Sequence, residues 1–438
     1  MPNGEDVRMT QKRRFYGWTL LAIMWLIVFA NSFPMSAASV INPHMGTDLH
    51  FDRSTLGLIY GVFYWMMGML GPVVAVIVNK KGVRFTLTAG SLMVVAGAIL
   101  MATLVHNRWQ AVAVFGILIG LAYTASGPLA AQAGIVRWFA REKSRAISLL
   151  MTGGSVGGII APLMLTRVIA GDPARWRLGW WSVCGFSVAA ALLALVGVKE
   201  RPSDVGQVPD GDAATESAAA QVRAKATVYR TMEDWPYSEV LRSPTFWWLL
   251  VPGTGFSVLL PLLMAHIVSH LRDLGHSQTQ AALSLSVLSF SMLIGMLWVA
   301  AFGDRIEPKR LWATGMLVLA VGVVWAFHAS GPVGLYGYAL VVGFGFGGAT
   351  PAAMTMMSNY YGDRPYASII GFLAVLATTA GAIAAYGAGL VYDHFGSYAG
   401  AFYGVALLCF AGFVILLFIK PPVRKAVLHM AAVGARQA

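Results

Sequence analysis

Charge is what this sequence has least of. Only 11% of its 438 residues are Asp, Glu, Lys or Arg, against roughly a quarter in an average soluble domain. So few charges cannot cover a water-facing surface, which excludes an ordinary soluble globular protein. Cysteine is almost missing as well. Cys184 and Cys409 both sit inside apolar runs, which excludes a disulfide framework and a thiolate metal cluster. No lysine-bearing phosphate loop occurs, so ATP is excluded as the direct energy source. The runs Gly153-Gly154-Ser155-Val156-Gly157 and Gly343 to Gly348 follow no strand, so neither is a phosphate or dinucleotide loop. Glycines inside apolar segments instead let helices approach closely. No enzyme motif is left, and no cofactor is expected.

What is present is apolar sequence. Hydrophobic residues make up 57% of the chain and the mean hydropathy is +0.67. The natural solvent for most of it is lipid. The net charge of +12 comes from basic residues in short segments between apolar runs. They set topology and do not form a nucleic-acid patch. Arg13 and Arg14 precede the first run, and Ser36-Ala37-Ala38 loosely resembles a cleavage site. That run is longer than a signal-peptide core, so it reads as a retained first span.

A span needs about 20 apolar residues. Twelve candidates fall near 17–40, 55–78, 85–105, 110–134, 146–168, 178–198, 244–270, 279–302, 310–328, 333–358, 367–391 and 398–419. With both termini on one side, the segments there hold 25 of the 31 Lys plus Arg and the opposite loops hold 6. Basic residues favour the cytoplasmic side. The expectation is therefore a multi-pass protein of the inner (plasma) membrane with both termini cytoplasmic. The expected organisation is a cytoplasmic N-terminus (1–16), a six-helix bundle (17–198), a cytoplasmic linker (199–242), a second six-helix bundle (243–419) and a cytoplasmic C-terminus (420–438). The linker has no apolar run long enough to fold alone and reads as a tether.

The halves repeat. Gly120, Pro128 and Trp138 match Gly343, Pro351 and Tyr361 at an offset of 223, and Asn79-Lys80 matches Asp304-Arg305 at 225. Two parallel copies imply a cavity between them near mid-membrane and access that alternates by rocking one copy against the other.

Residues 75–84, Ala-Val-Ile-Val-Asn79-Lys80-Lys-Gly82-Val-Arg84, resemble the loop 2–3 motif of the major facilitator superfamily. Ala75 stands for the usual Gly and Asn79 for the usual Asp, whereas the second copy keeps Gly303-Asp304-Arg305. Further features are Arg14-Phe15-Tyr16-Gly17-Trp18, the series Arg137, Arg141 and Arg145, Arg201-Pro202-Ser203-Asp204, Leu241-Arg242-Ser243-Pro244, and Val391-Tyr392-Asp393. Together they resemble the bacterial relatives of the monocarboxylate porters and the oxalate–formate antiporter, across nearly the whole chain. The resemblance implies an all-α membrane fold of twelve helices in two pseudo-symmetric bundles. It also implies a monomeric secondary transporter in lipid, carrying a small organic solute with a proton or counter-substrate as coupling partner. The loop residues Asn79, Lys80, Gly82, Arg84, Arg137, Arg141, Arg145, Asp304 and Arg305 would serve gating, with the arginines pairing with Glu142 or the opposite half.

The chain departs from that branch where substrate would bind. The family's carboxylate-binding arginine in span 8 corresponds to Met296, and the aspartate one turn earlier to Met292; span 11 has no lysine between Ala367 and Tyr392. Three readings stay open. The solute is neutral or weakly polar, or a carboxylate is met by helix ends, amides or a histidine, or the site is degenerate. A monocarboxylate or related acid is the first choice. The rivals are export of a neutral or amphipathic compound, and a receptor with this fold that transports nothing.

Candidate cavity residues come from polar and aromatic positions at membrane depth: Asn31, Tyr64, Tyr123, Thr124, Phe346, Thr350, Thr378 and Tyr386, together with Met292 and Met296. For Asn31 the alternative is a helix–helix hydrogen bond within the first half. His266 and His270 are spaced i, i+4 but lack a third ligand, so no metal is expected. His266 is placed to relay a proton or meet a carboxylate; its alternative is a hydrogen-bonded residue at the rim.

Overall fold

The computed structural model describes residues 15–51, 53–169, 175–211 and 228–423. The expected termini therefore fall largely outside the described residues, as does the middle of the linker. Eleven helices are long and apolar enough to cross a membrane, and one bent pair makes the twelfth. They are span 1 (Tyr16–Asp48), span 2 (Arg53–Met69 with Gly71–Lys81), span 3 (Val83–Thr103), span 4 (Arg108–Trp138), span 5 (Lys143–Ile169) and span 6 (Trp176–Gly197). The second set is span 7 (Pro244–Asp273), span 8 (Gln278–Phe302), span 9 (Pro308–Phe327), span 10 (Gly331–Tyr361), span 11 (Tyr366–Phe395) and span 12 (Ala399–Phe418).

Sequence reasoning ends span 1 near residue 40, yet its helix runs to Asp48. Tertiary packing carries it on: Ile41 and Met45 are fully buried in one apolar cluster with Trp176 and Trp180. Span 2 is broken by 45°, where Pro72 follows Gly71 and cannot donate its share of the helix ladder. Span 4 pauses at Gly127, extended at φ −95° and ψ −162°, directly before Pro128.

Within each half the spans bury large aromatics; Trp138, Trp176, Trp180 and Trp312 are all closed off from solvent. The outer surface is apolar, with Leu92, Val196, Leu407 and Phe418 exposed, as expected of a face turned to lipid. Span 5 packs on span 8, and span 2 on span 11. These two pairs form the seam between the halves. The described chain ends lie on one face: Tyr16 Oη donates to the Gly197 carbonyl at 2.7 Å, and Lys309 Nζ donates to the Ile419 carbonyl at 3.1 Å. This is called the terminal face below.

The connector is more than a tether. Residues 199–211 dock on the first half and 228–242 on the second. Thr231 N–H bonds the Asn359 carbonyl at 2.7 Å and Trp235 N–H bonds the Tyr361 carbonyl at 2.9 Å.

Candidate functional site

The seam is latched at the terminal face by groups that cap helix starts. The first N–H groups of a helix have no internal partner and carry positive potential. At the start of span 5 these are Ser144 and Arg145, and both donate to the Asp304 carboxylate across the seam, at 2.8 and 3.1 Å. The pseudo-equivalent contact has Asn79 Nδ2 donating to Ser368 Oγ at 3.0 Å, at the start of span 11. Equivalent positions of the two halves thus bridge the seam twice, with different bonds: the acid accepts from backbone N–H groups, and the amide donates to a hydroxyl. Burial pushes the Asp304 carboxyl up to about 6, while the two backbone N–H groups and the Arg230 charge pull it down.

Other bonds close the same level. Lys143 Nζ lies 2.7 Å from the Asp363 carboxylate and 2.9 Å from Ser358 Oγ. Tyr366 Oη donates to Gln132 Oε1 at 3.1 Å. Gly71 meets Gly371 where the bend in span 2 reaches span 11: a Cβ on Gly71 would sit 2.7 Å from the Gly371 carbonyl oxygen.

The expected loop residues divide into two sets. Asn79, Asp304 and Arg145 reach across the seam. Arg145 also pairs with Glu142 at 2.9 Å and sits 5.2 Å from the Trp18 ring centroid. Arg137, Gly82 and Arg84 instead gather on Glu200 of the connector. The Glu200 carboxylate accepts from Val83 N–H at 2.9 Å and Arg84 N–H at 2.7 Å, and faces Arg137 at 3.4 Å. Gly82 turns there with φ +89°, leaving no room for a side chain against that carboxylate. The Arg141 carbonyl accepts from Arg230 at 2.6 Å. Lys80 and Arg305 are exposed.

Sequence reasoning missed the connector acids. Asp210 accepts from the Ala140 and Arg141 N–H groups at 3.1 and 2.8 Å. Asp234 accepts from the Asp363 and Arg364 N–H groups at 2.7 and 3.2 Å. The two pairs of donor positions are again 223 residues apart, but the accepting acids are not, so the repeat marks the loops that need an acceptor and does not locate the acids. Burial raises the Asp210 and Glu307 carboxyls above the usual range.

Deeper in the membrane, the candidates scatter. Tyr64 lies one turn from Gly68 on span 2, and Gly68 packs against the Thr378 hydroxyl of span 11. Tyr64 is half-buried and belongs to an aromatic group with Tyr60 (centroids 4.8 Å apart) and Phe63; Phe63 in turn contacts Tyr123 at 5.6 Å. Met296 accepts from Ser155 Oγ of span 5 at 3.4 Å, so it sits in the seam at mid-depth. Met292 packs its backbone against Gly347 of span 10.

Three polar candidates are engaged inside one half. Asn31 is buried; it donates to the Tyr123 carbonyl at 3.3 Å and accepts from Ser126 Oγ at 2.7 Å. Thr124 donates to the Met67 and Gly120 carbonyls at 3.0 and 3.1 Å, and Thr350 to the Phe346 carbonyl at 2.8 Å. An apolar medium offers these groups no other partners, so Asn31 makes the intra-bundle bond that was its alternative. Thr378, at the seam, also bonds back to the Ala374 carbonyl at 2.9 Å. Phe346 stacks on Phe256 of span 7 at 4.3 Å. The His266 ring lies 5.1 Å from that of Tyr398. Its neighbour His270 is buried and bonds the Phe327 carbonyl at 2.9 Å, so the two rings do not converge on one point. The Tyr386 side chain lies outside the described residues.

The sequence profile of the Major Facilitator Superfamily matches residues 24–272 and 253–435. The chain belongs to that superfamily. Among similar proteins, the MFS-type transporter YcxA of Bacillus subtilis is 22% identical, with 85% of this chain and 88% of that protein covered. Monocarboxylate transporter 13 of Bos taurus is 25% identical over 79% and 76% of the two chains. The MFS-type transporter hasB of Aspergillus fumigatus is 25% identical over 91% and 86%. Among solved structures, the Escherichia coli fucose:proton symporter superposes with a TM-score of 0.71 at 16% identity, covering 93% of this chain and all of that one. This superfamily chain therefore has the twelve-helix, two-bundle transporter fold that its sequence implies, and it is a multi-pass membrane protein.

Proposed function

We propose that this chain is a secondary transporter of a small organic acid, with a monocarboxylate as the first choice, working by alternating access. The two bundles, 17–198 and 243–419, rock as units about the seam. Both termini and the connector face the cytoplasm, in keeping with the excess of basic residues on that side. The observation that carries the reading is the doubled latch at the terminal face, Asp304 on the start of span 5 and Asn79 on the start of span 11. Two polar bridges at equivalent positions, both breakable without loss of either bundle's own packing, suit a reversible gate. A proton or a counter-solute supplies the driving force.

The test is uptake of labelled acetate, lactate and benzoate by protein reconstituted in liposomes, with and without an inward proton gradient. Saturable flux of at least one acid, several-fold above protein-free liposomes, is expected. Absence of flux for all three under both conditions sinks the acid reading.

Export of a neutral or amphipathic compound is the second reading. It is favoured by the apolar Met292 and Met296, where the branch carries charges. A buried charge in membrane is kept only for function, so its absence fits a solute without one. Failure of carboxylates to compete with an effluxed neutral compound would select it.

A further inference from the structure

Spans 4 and 10 correspond by the offset of 223, and each carries a proline, Pro128 and Pro351. Span 10 nevertheless runs as one helix from Gly331 to Tyr361. Span 4 breaks at the extended Gly127 into Gly120–Ser126 and Pro128–Trp138. The two differ at one carbonyl. In an unbroken helix the Tyr123 carbonyl accepts from the N–H of residue 127. At the break it accepts from Asn31 Nδ2 of span 1, at 3.3 Å. Asn31 Oδ1 in turn accepts from Ser126 Oγ at 2.7 Å, so one buried amide holds the last turn before the break. Phe346 corresponds to Tyr123, and Thr350 to Gly127. The Phe346 carbonyl accepts from the Thr350 hydroxyl of its own helix at 2.8 Å. The same backbone position is thus bound across two spans in the first bundle and within one helix in the second. A Cβ at Gly127 would lie 2.5 Å from the Tyr123 carbonyl oxygen and 2.8 Å from Asn31 Nδ2. Glycine there leaves the room that this amide occupies.

The two pieces of span 4 have different anchors. Thr124, before the break, donates to the Met67 carbonyl of span 2 at 3.0 Å. Gln132, beyond it, accepts from Tyr366 Oη of span 11 across the seam at 3.1 Å. The far end of that second piece is tied to the connector, where Trp138 Nε1 donates to the Lys199 carbonyl at 3.3 Å. One piece therefore belongs to the interior of the first bundle and the other to the terminal-face latch. Pro128 has no N–H to bridge the break, and helices bend where a ladder bond is missing. We infer that Gly127 is a joint. As the terminal face opens, Pro128–Trp138 swings on it apart from the rest of the first bundle, and Asn31 is the clamp that sets the sealed angle. Span 10, whole at the equivalent place, moves as a rod. The inference rests on the alternating-access reading above and refines it by placing one internal joint in the first bundle.

The experiment measures spin-label distances on the purified full-length chain, in a background lacking Cys184 and Cys409. Labels at the exposed Phe85 and the half-buried Ala140 report the swing inside the first bundle. Labels at the exposed Arg310 and Arg364 report the equivalent distance in the second. Labels at Lys80 and Arg310 report separation of the bundles. Gly71→Leu, which drives a side chain against the Gly371 carbonyl, is used to open the terminal face. The 11 residues of Pro128–Trp138 span about 16 Å, so a swing of about 20° moves their end by about 5 Å. On opening, the Phe85–Ala140 distance is expected to shift by about that much, while Arg310–Arg364 holds. Asn31→Ala should admit the shifted distance even in the sealed chain, with the parent Arg310–Arg364 distance as the check that the variant is folded. Asn31→Ala combined with Gly127→Thr copies the second bundle and should give one narrow distance with or without Gly71→Leu. A Phe85–Ala140 distance that stays fixed while Lys80–Arg310 lengthens overturns the joint and leaves alternating access standing. Equal shifts in both bundles also overturn it. An unchanged distribution in Asn31→Ala overturns the clamp. If Lys80–Arg310 does not lengthen in Gly71→Leu, the reading of the seam fails, and the sealed Asn31→Ala chain alone decides the joint.

Discussion

Neutralising Asp304 should remove a pH dependence from the terminal-face latch. In the sealed arrangement its carboxylate caps Ser144 and Arg145 and is largely withdrawn from water, and burial pushes its pKa up to about 6 from the usual 3.8. Arg230 draws the value down and Glu142 pushes it up. When the seam opens, the group returns to solvent and to its ordinary range. The sealed state therefore holds the proton more tightly, and acid favours sealing. The effect develops as pH falls through about 6 and is complete near 4. Its upper limit is about 3 kcal/mol, or about 100-fold in the sealing equilibrium. Asparagine keeps an acceptor oxygen but carries no charge to desolvate, so Asp304→Asn should stay at the acid limit at every pH. The assay is a double electron–electron resonance distance between labels at the exposed positions Lys80 and Arg310, one in each bundle, in a background lacking Cys184 and Cys409. The parent should shift toward the short, sealed distance between pH 7.5 and 5, and Asp304→Asn should not respond. A parent that opens on acidification, or a variant that keeps the transition near pH 6, refutes the argument.

Two further perturbations address the same seam. Lys143→Met removes a buried ammonium from Asp363 and Ser358 and should weaken sealing by about 2 kcal/mol. Alkylation of a cysteine at the buried position Ala367 should then quicken at least tenfold, and an unchanged rate would show that this ion pair does not hold the seam. Gly71→Leu drives a side chain into the Gly371 carbonyl, which is backbone and cannot rotate away; the sealed distance between the same labels should vanish from the distribution, and its persistence contradicts the close-packed seam.

Particular residues show where sequence reasoning stops. Met296 lay at the seam because an offset from Asp304 placed it there, and offsets survive folding. Asn31 could not be assigned the same way. Its partners, the Tyr123 carbonyl and Ser126, are more than 90 residues distant, and the choice between cleft and bundle interior depends on helix rotation, which apolar periodicity barely records when lipid and protein are equally apolar. The connector misled for a different reason. Its acids Glu200, Asp210 and Asp234 occur without an apolar run, so they read as solvated linker. Only the placement of the span 3 start and of the two loops after spans 4 and 10 around them reveals the N–H groups that they accept from.

The number of crossings, their pairing into two copies and the scarcity of fixed charge at depth were determined by the sequence alone, because hydrophobic length and repeat spacing are local properties summed along the chain. Which polar groups bridge the bundles, which are consumed inside one, and which of the two proline-bearing spans 4 and 10 breaks were decided by the tertiary structure. Those outcomes depend on the relative rotation and separation of helices distant in sequence, and a shift of one residue in register exchanges one for the other.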